Sequence, residues 1–333
     1  MELLMLSGSI LVFPALAFIT TFLFWPGALL KAYDWYWRHR LGLVVRYSYN
    51  GSYRFCYSSR GAPGRATPSM LMLHGFSATK DVFLPVIKYL PTSHHVVCVD
   101  MPGHEGTSRT GPEDYSIQGQ VRRIHQFVQS IGLDKRPFHL VGTSMGGNVA
   151  GVYASHYPSH LSGTTLICPA GLVYPTDSEL ICRLKEFEKS SQDSIPLIPS
   201  TCQELAELVK LSCHTPLNLP QQVLQGLLDN RIPNNGFYKE VFMEITGEKS
   251  RHSLQENLHL IRAPLQVIWG KEDQVVDVSG AAVLQAALPH CQVALLDNCG
   301  HTVELEQPRK VARLIVDFLS AQEVNGENAK KLS

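Results

Sequence analysis

Apolar positions divide the chain into stretches of different periodicity. Residues 3–30 carry no charged side chain, and the part from 9 to 30 would rise about 33 Å as a helix, enough to cross the roughly 30 Å hydrocarbon core of a bilayer. From residue 43 short runs take over. Residues 43–49 and 53–57, separated by Asn50-Gly51, read as a β-hairpin. The wholly apolar Met70-Leu71-Met72-Leu73 and Val96-Val97-Cys98-Val99 read as strands buried on both faces. Residues 138–141, 161–168, 265–270 and 292–296 extend the series. Helical patterns lie between them over 81–90, 117–131, 148–154 and 279–287, and 308–319 closes the chain. The stripe in 117–131 is Ile117, Val121, Ile124, Phe127, Val128 and Ile131. Such alternation predicts an α/β fold, a mostly parallel eight-stranded sheet flanked by helices and edged by the hairpin.

The rhythm breaks over about 170–260, where no strand-like run appears. Leu180, Ile181, Leu184 and Phe187 form one helical stripe, and Thr201-Cys202-Gln203-Glu204 is a capping box opening a second helix. Pro220 starts a third through Val223, Leu224, Leu227 and Leu228, and 238–245 forms a fourth. A helical block inserted between two strands sits over the strand ends where ligands bind, so it is expected to be a cap. The predicted organisation is an anchor and juxtamembrane segment over 1–42, a catalytic domain over 43–321 with this cap, and a polar, disordered tail over 322–333.

The flanks of the apolar N-terminus add orientation. Tyr33, Trp35, Tyr36 and Trp37 with Lys31, Arg38 and Arg40 follow it, whereas Glu2 stands alone before it. The positive-inside rule then puts the amino terminus outside or lumenal and the bulk of the chain in the cytosol, with the bilayer as a partner. Pro14 and Pro26 fall inside the run, where membrane helices tolerate proline. A cleaved signal peptide is the rival, since Ala15-Leu16-Ala17 resembles a cleavage site, but no positive charge precedes the run and an apolar tail would remain. Asn50-Gly51-Ser52 is a glycosylation sequon only under that rival topology.

At 333 residues one α/β domain with an insertion is the expectation, and zero formal net charge without a long basic block argues against nucleic acid as a partner. Eight cysteines without a C-x-x-C pair argue against zinc; several, such as Cys98 and Cys168, sit in apolar strands and read as reduced buried thiols.

Candidate chemistry centres on Gly142-Thr143-Ser144-Met145-Gly146-Gly147, between a strand-like run and a helix of small residues. It matches the G-x-S-x-G pattern, in which a serine occupies a sharp strand-to-helix turn and the glycines leave room that a Cβ atom would fill. A serine hydroxyl becomes nucleophilic when a base takes its proton and a third group orients that base. His301, in the loop 297–301, is the candidate base. Asp273 is the candidate orienting carboxylate, with Glu272 and Asp277 close by in sequence. Attack on a carbonyl builds an oxyanion, for which the backbone N–H groups of Met145 and Phe76 are the candidate donors. His74 and His104 are expected to hold loops and His125 to be structural. The predicted chemistry is an acyl-enzyme mechanism with no metal and no organic cofactor.

Together His74-Gly75-Phe76, Asp100-Met101-Pro102-Gly103-His104-Glu105-Gly106, Gly142 to Gly147, Gly270 to Asp273 and Cys299-Gly300-His301 resemble the α/β-hydrolase superfamily over about 43–321. With the anchor and Trp35-Tyr36-Trp37-Arg38, the chain resembles its membrane-bound monoacylglycerol lipases. The resemblance implies the triad Ser144, Asp273 and His301, the oxyanion donors Phe76 and Met145, and a lipid ester substrate. It also implies hydrolysis of monoacylglycerols such as 2-arachidonoylglycerol, and of lysophospholipids and bis(monoacylglycero)phosphate, at late endosomal, lysosomal or mitochondrial membranes. Same-fold alternatives are a lipid acyltransferase, against which the absence of an H-x-x-x-x-D pattern after His301 counts, and a carbon–carbon bond hydrolase. An epoxide hydrolase needs a carboxylate where Ser144 stands. A membrane scaffold with a binding role is the alternative from another class.

Overall fold

The computed structural model describes the backbone of residues 2–64, 67–111, 113–190, 195–215 and 217–331, and side chains for 12–64, 67–111, 113–186, 195–215 and 217–322. Two helices lead, α1 (Glu2–Phe24) and α2 (Pro26–Arg40), followed by the hairpin β1 (Val44–Asn50) and β2 (Tyr53–Arg60). Then come β3 (Met70–Leu73), a 3-10 turn (Lys80–Phe83) running into α3 (Leu84–Ile87), β4 (Val96–Val99), α4 (Ile117–Ser130), β5 (Phe138–Thr143), α5 (Met145–His156) and β6 (Leu161–Ile167). The inserted helices are α6 (Glu179–Ser190), α7 (Cys202–Ser212), α8 (Gln221–Arg231), α9 (Asn235–Thr246) and α10 (Ser253–Asn257). The sheet resumes with β7 (Leu265–Gly270), α11 (Ser279–Ala287) and β8 (Gln292–Leu296), and α12 (Val303–Glu306) and α13 (Pro308–Lys331) end the chain.

The eight strands form one sheet in the order β1-β2-β4-β3-β5-β6-β7-β8. β1 pairs antiparallel with β2 and β2 with β4; every other pairing is parallel. β3, β4, β5 and β7 are buried along their whole length, because helices cover both faces and leave no solvated side to favour polar residues. β5 is flanked by β3 and β6, so the serine at its C-terminal end stands near the middle of the rim where a parallel sheet gathers its loops.

Three expectations are corrected. The apolar N-terminus is not one straight helix over 9–30. Among the described residues no single helix has the length and composition of a membrane span, and Val12–Phe24 with Pro26–Arg40 pass that test only as a pair bent by 117°. Pro26 lacks the N–H that would continue α1 and clashes with the preceding turn, yet its fixed φ suits the first position of a new helix. The helix expected at 81–90 is shortened, since Thr79 caps a 3-10 turn through Asp81 N and Pro85 restarts the chain in the first turn of α3. The segment expected to be a disordered tail continues α13 as far as Lys331; residues 332–333, like the Phe187 side chain of the first cap stripe, lie outside the described residues.

α2 does not float free of the domain. Gly226 of α8 comes so close that an added Cβ would sit 2.8 Å from Pro26 C and 2.9 Å from Gly27 N. Asn230 Nδ2 donates to Gly27 O at 3.3 Å. Further along α2, Arg38 donates to Asp81 at 2.5 Å in a largely buried ion pair.

Candidate active site

Ser144 occupies the turn between β5 and α5 with φ +55° and ψ −118°, a backbone conformation unfavourable for any residue with a Cβ. Such strain costs about 1–3 kcal/mol and persists only where the surroundings enforce it. Here Ser144 N donates to Ile167 O at 2.9 Å, while Ser144 O accepts from Asn148 N at 3.1 Å and Ala170 N at 3.0 Å. The neighbouring glycines admit no alternative. A Cβ on Gly142 would lie 2.1 Å from Gly146 O, and one on Gly146 2.3 Å from Leu73 O and 2.5 Å from His74 O. Gly146→Ala must therefore push apart the elbow and the end of β3. A loss of at least about 1–3 kcal/mol is expected, as for overpacking, with a matching fall in thermal midpoint; an unchanged midpoint would contradict this packing.

The carboxylate and the imidazole meet as the sequence predicts. His301 Nδ1 donates to Asp273 Oδ2 at 2.8 Å, with both side chains largely withdrawn from solvent. Asp273 is held in turn: Oδ1 accepts from Val275 N at 2.8 Å and Val276 N at 3.0 Å, and Oδ2 also accepts from Trp269 Nε1 at 3.2 Å. Its two sequence rivals are engaged elsewhere, Asp277 with Ser279 N and Glu272 with Cys299 N. Because Nδ1 carries the donated proton, Nε2 of neutral His301 is left as an acceptor, the form a general base requires. Burial pulls the imidazolium pKa down, but the Asp273 charge, its hydrogen bond and Glu304 outweigh this and hold it above the ordinary value.

Glu304 is a member of this cluster that sequence reasoning did not single out. Its carboxyl is buried and interacts with His301, Asp273 and Thr143, the residue before Ser144; burial pushes its pKa up to about 7. This contact ties the His301 loop to the elbow. Spacing offers one retrospective signal, because Glu304 lies one helical turn after His301 in α12. Trp269, which the sequence pattern marks only as a strand residue, also belongs to this cluster through its bond to Asp273.

His74-Gly75-Phe76 closes over the serine from the end of β3. A Cβ on Gly75 would stand 3.1 Å from Ser144 Cβ, so a larger residue would press on Ser144. Neither Phe76 N–H nor Met145 N–H donates to a loop or turn carbonyl among the described residues. His74 accepts from Met101 N through Nε2 at 2.9 Å and donates Nδ1–H to Gly75 O at 2.8 Å, fixing the neutral tautomer; burial lowers its pKa to about 4. His104 Nδ1 meets Pro102 O at 3.0 Å and its ring packs against His74. Both therefore brace loops, as expected, and His125 stacks on Tyr157.

Donor atoms of Cys168, Asp273 and His301 lie within 4.8 Å of one another, the one grouping among the described residues with the spacing of a metal site. The Asp273 oxygens are already engaged by four N–H groups, and burial raises the Cys168 pKa well above the usual thiol range. Neither group is thereby prepared as a ligand.

Comparison with known proteins agrees with this geometry. A family model described as "alpha/beta hydrolase fold" matches residues 68–308. Monoacylglycerol lipase abhd6-B of Xenopus laevis is 58% identical over 332 residues, 99% of this chain and 98% of that one. Monoacylglycerol lipase ABHD6 of Homo sapiens is 56% identical, with the same two shares. Among solved structures, a bacterial membrane phospholipase A described as a virulence factor superposes with TM-score 0.81 at 27% identity, over 97% of this chain and 99% of that one. A putative lipase of Acinetobacter baumannii AYE gives TM-score 0.77 at 26% identity, over 89% and 97%. Sheet order, elbow, the Asp–His pair and these similarities together place the chain in the α/β-hydrolase family, alongside the ABHD6 monoacylglycerol lipases.

Proposed function

We propose that this chain is a membrane-anchored serine hydrolase that cleaves monoacylglycerol esters through an acyl-enzyme on Ser144. The observation that carries the proposal is the His301–Asp273 hydrogen bond, which leaves Nε2 of His301 as the base on the rim where the strained Ser144 stands. In the first half-reaction His301 takes the Ser144 proton as Oγ attacks the ester carbonyl, and the N–H groups of Phe76 and Met145 receive the oxyanion. The protonated imidazole, stabilised by Asp273, then gives its proton to the departing glycerol oxygen. Water, activated by the same imidazole, releases the fatty acid. The relatives at 56–58% identity, named for monoacylglycerol lipase activity, support the substrate class. Hydrolysis of lysophospholipids belongs to the same proposal, supported by the phospholipase A likeness.

Deletion of residues 1–24, which spares the docked α2, tests the membrane element. The apolar α1 would enter the bilayer as one arm of the bent pair, while α2 carries Trp and Tyr residues suited to the interface, with the catalytic domain on the cytosolic side. A substrate already in lipid gains little from pocket burial, so the anchor works by concentrating enzyme and substrate in one phase. The deletion is expected to lower hydrolysis of vesicle-borne monoacylglycerol several-fold while a soluble short-chain ester is turned over as before. Equal losses on both substrates would remove this role. Product analysis with monoacylglycerols, lysophospholipids and an added alcohol tests the activity itself: free fatty acid supports hydrolysis, and a new ester would assign a transferase.

A further inference from the structure

Ser77 follows Phe76 and, like Ser144, holds a positive φ of +55°. A non-glycine residue there needs external restraint. The turn closes on itself only loosely, through Ala78 N to Gly75 O at 3.3 Å. Ser77 is buried, yet one side of it borders a cavity of about 840 Å³ shared with Lys31 and Asp34 of α2, Lys88, Arg231 and Thr302. A wall facing such a space lacks van der Waals partners on that side.

Arg231, the last residue of α8, supplies directed contacts instead. Its Nη2 donates to Ser77 Oγ at 2.7 Å and to Leu197 O at 3.0 Å, and its Nη1 to Ser77 O at 3.3 Å. The guanidinium lies 5.6 Å over the Tyr238 ring, and that ring packs edge-on against Phe76 at 5.9 Å. One planar fork thus grips both the residue after the oxyanion donor and the ring against it, a geometry lysine does not reproduce. The preceding residue, Asn230, faces α2 and holds Gly27 O, and Gly226 one turn earlier touches Pro26 and Gly27.

We propose that Arg231 is a positioning residue that keeps the 75–78 turn, and with it the Phe76 N–H, aimed at the oxyanion, and that α8 forms a strut between this turn and α2. The inference rests on Phe76 serving as a donor in the Ser144 reaction. Its consequence is that displacement of α2 reaches the oxyanion hole through a single helix.

The test uses the full chain in detergent micelles with a soluble short-chain ester. Arg231→Gln is expected to lower kcat about tenfold to a hundredfold with KM little changed, in line with the cost of a small misplacement of a catalytic group. Fluorophosphonate labelling slows in parallel, since phosphonylation also develops charge on an oxygen. Ser77→Ala gives a smaller loss, and the double variant loses less than the product of the two, because both break one contact. Gly226→Val, which pushes against Pro26, lowers kcat in the same manner. Wild-type kcat in folded Arg231→Gln, or strictly multiplicative losses in the double variant, would overturn the positioning role. Wild-type kcat in Gly226→Val would overturn the strut. Where Arg231→Gln does not fold, Ser77→Ala decides alone, and an unchanged labelling rate overturns the proposal. Failure of the serine-hydrolase reading is distinguishable, since it would appear as activity persisting in Ser144→Ala.

Discussion

Ser144→Ala is expected to lower kcat on the order of a millionfold, the scale seen when a serine hydrolase loses its nucleophile, and to abolish labelling by a fluorophosphonate. No neighbouring group substitutes for the hydroxyl. The nearby Cys168 thiol is fully buried, with its pKa raised well above the usual range, so it offers no thiolate for attack. Folding should survive, because alanine keeps the Cβ that the turn already accommodates and the three backbone hydrogen bonds at this residue use main-chain atoms. Ser144→Gly should raise the thermal midpoint, since glycine adopts φ +55° without penalty. The measurement is labelling intensity beside thermal unfolding. Labelling that persists in folded Ser144→Ala would assign another nucleophile and remove the proposed mechanism.

The second large effect belongs to Asp273→Asn. The two backbone N–H groups of Val275 and Val276 point at Oδ1 and demand an acceptor there. Asparagine satisfies them with its carbonyl oxygen, which turns its NH2 toward His301 Nδ1. Nδ1 must then accept, the ring proton moves to Nε2, and the unprotonated Nε2 that the proposed mechanism uses as its base is lost. A loss of about ten-thousandfold in kcat is the benchmark for this change in serine proteases. The pH dependence adds a signature. The proposed mechanism needs neutral His301, so activity is expected to fall as pH drops through its pKa, which burial lowers but Asp273 and Glu304 together hold above the ordinary value. Without the Asp273 charge the acid limb of kcat/KM should move to lower pH while the plateau drops. An acid limb in the same place would mean that Asp273 does not set the charge of the base.

Glu304 modulates the same limb more weakly. A group with a pKa raised to about 7 is partly protonated near neutral pH, so its support of imidazolium fades below that point. It follows that the acid limb of the native protein should reflect two interacting groups and depart from a simple one-proton curve.

Much of the architecture was legible because the fold repeats one local rule. Fully apolar tetrads such as Met70-Leu71-Met72-Leu73 and Val96-Val97-Cys98-Val99 tolerate no solvent face, and both are strands buried on two sides. The hairpin forms as the pattern implied, but Asn50 pairs with Tyr53 as the last residue of β1, so the tight turn is Gly51-Ser52, with Gly51 taking the positive φ. The Thr201 cap also appeared as the pattern implied, with Thr201 Oγ1 accepting from Glu204 N. Helix ends were less legible. Pro85 and Pro26 each interrupt an apolar run that hydropathy alone reads as continuous, and the continuation of α13 to Lys331 follows from backbone propagation that a polar composition does not forbid.

What the amino-acid order determined is the inventory and its sequence: an elbow serine between glycines, a carboxylate after the seventh strand, and a histidine after the eighth. Local sterics and hydrophobic periodicity act over a few residues, so these features are readable without coordinates. The tertiary structure decided everything that depends on which distant segments meet. It paired His301 with Asp273 while Asp277 turns to Ser279 N, directed Trp269, Val275 and Val276 onto the same Asp273 carboxylate, brought Glu304 against Thr143, and bent the apolar N-terminus so that α2 lies on α8. Hydrogen bonds and buried charges act over a few ångströms, and separation along the chain carries almost no information about which groups come that close.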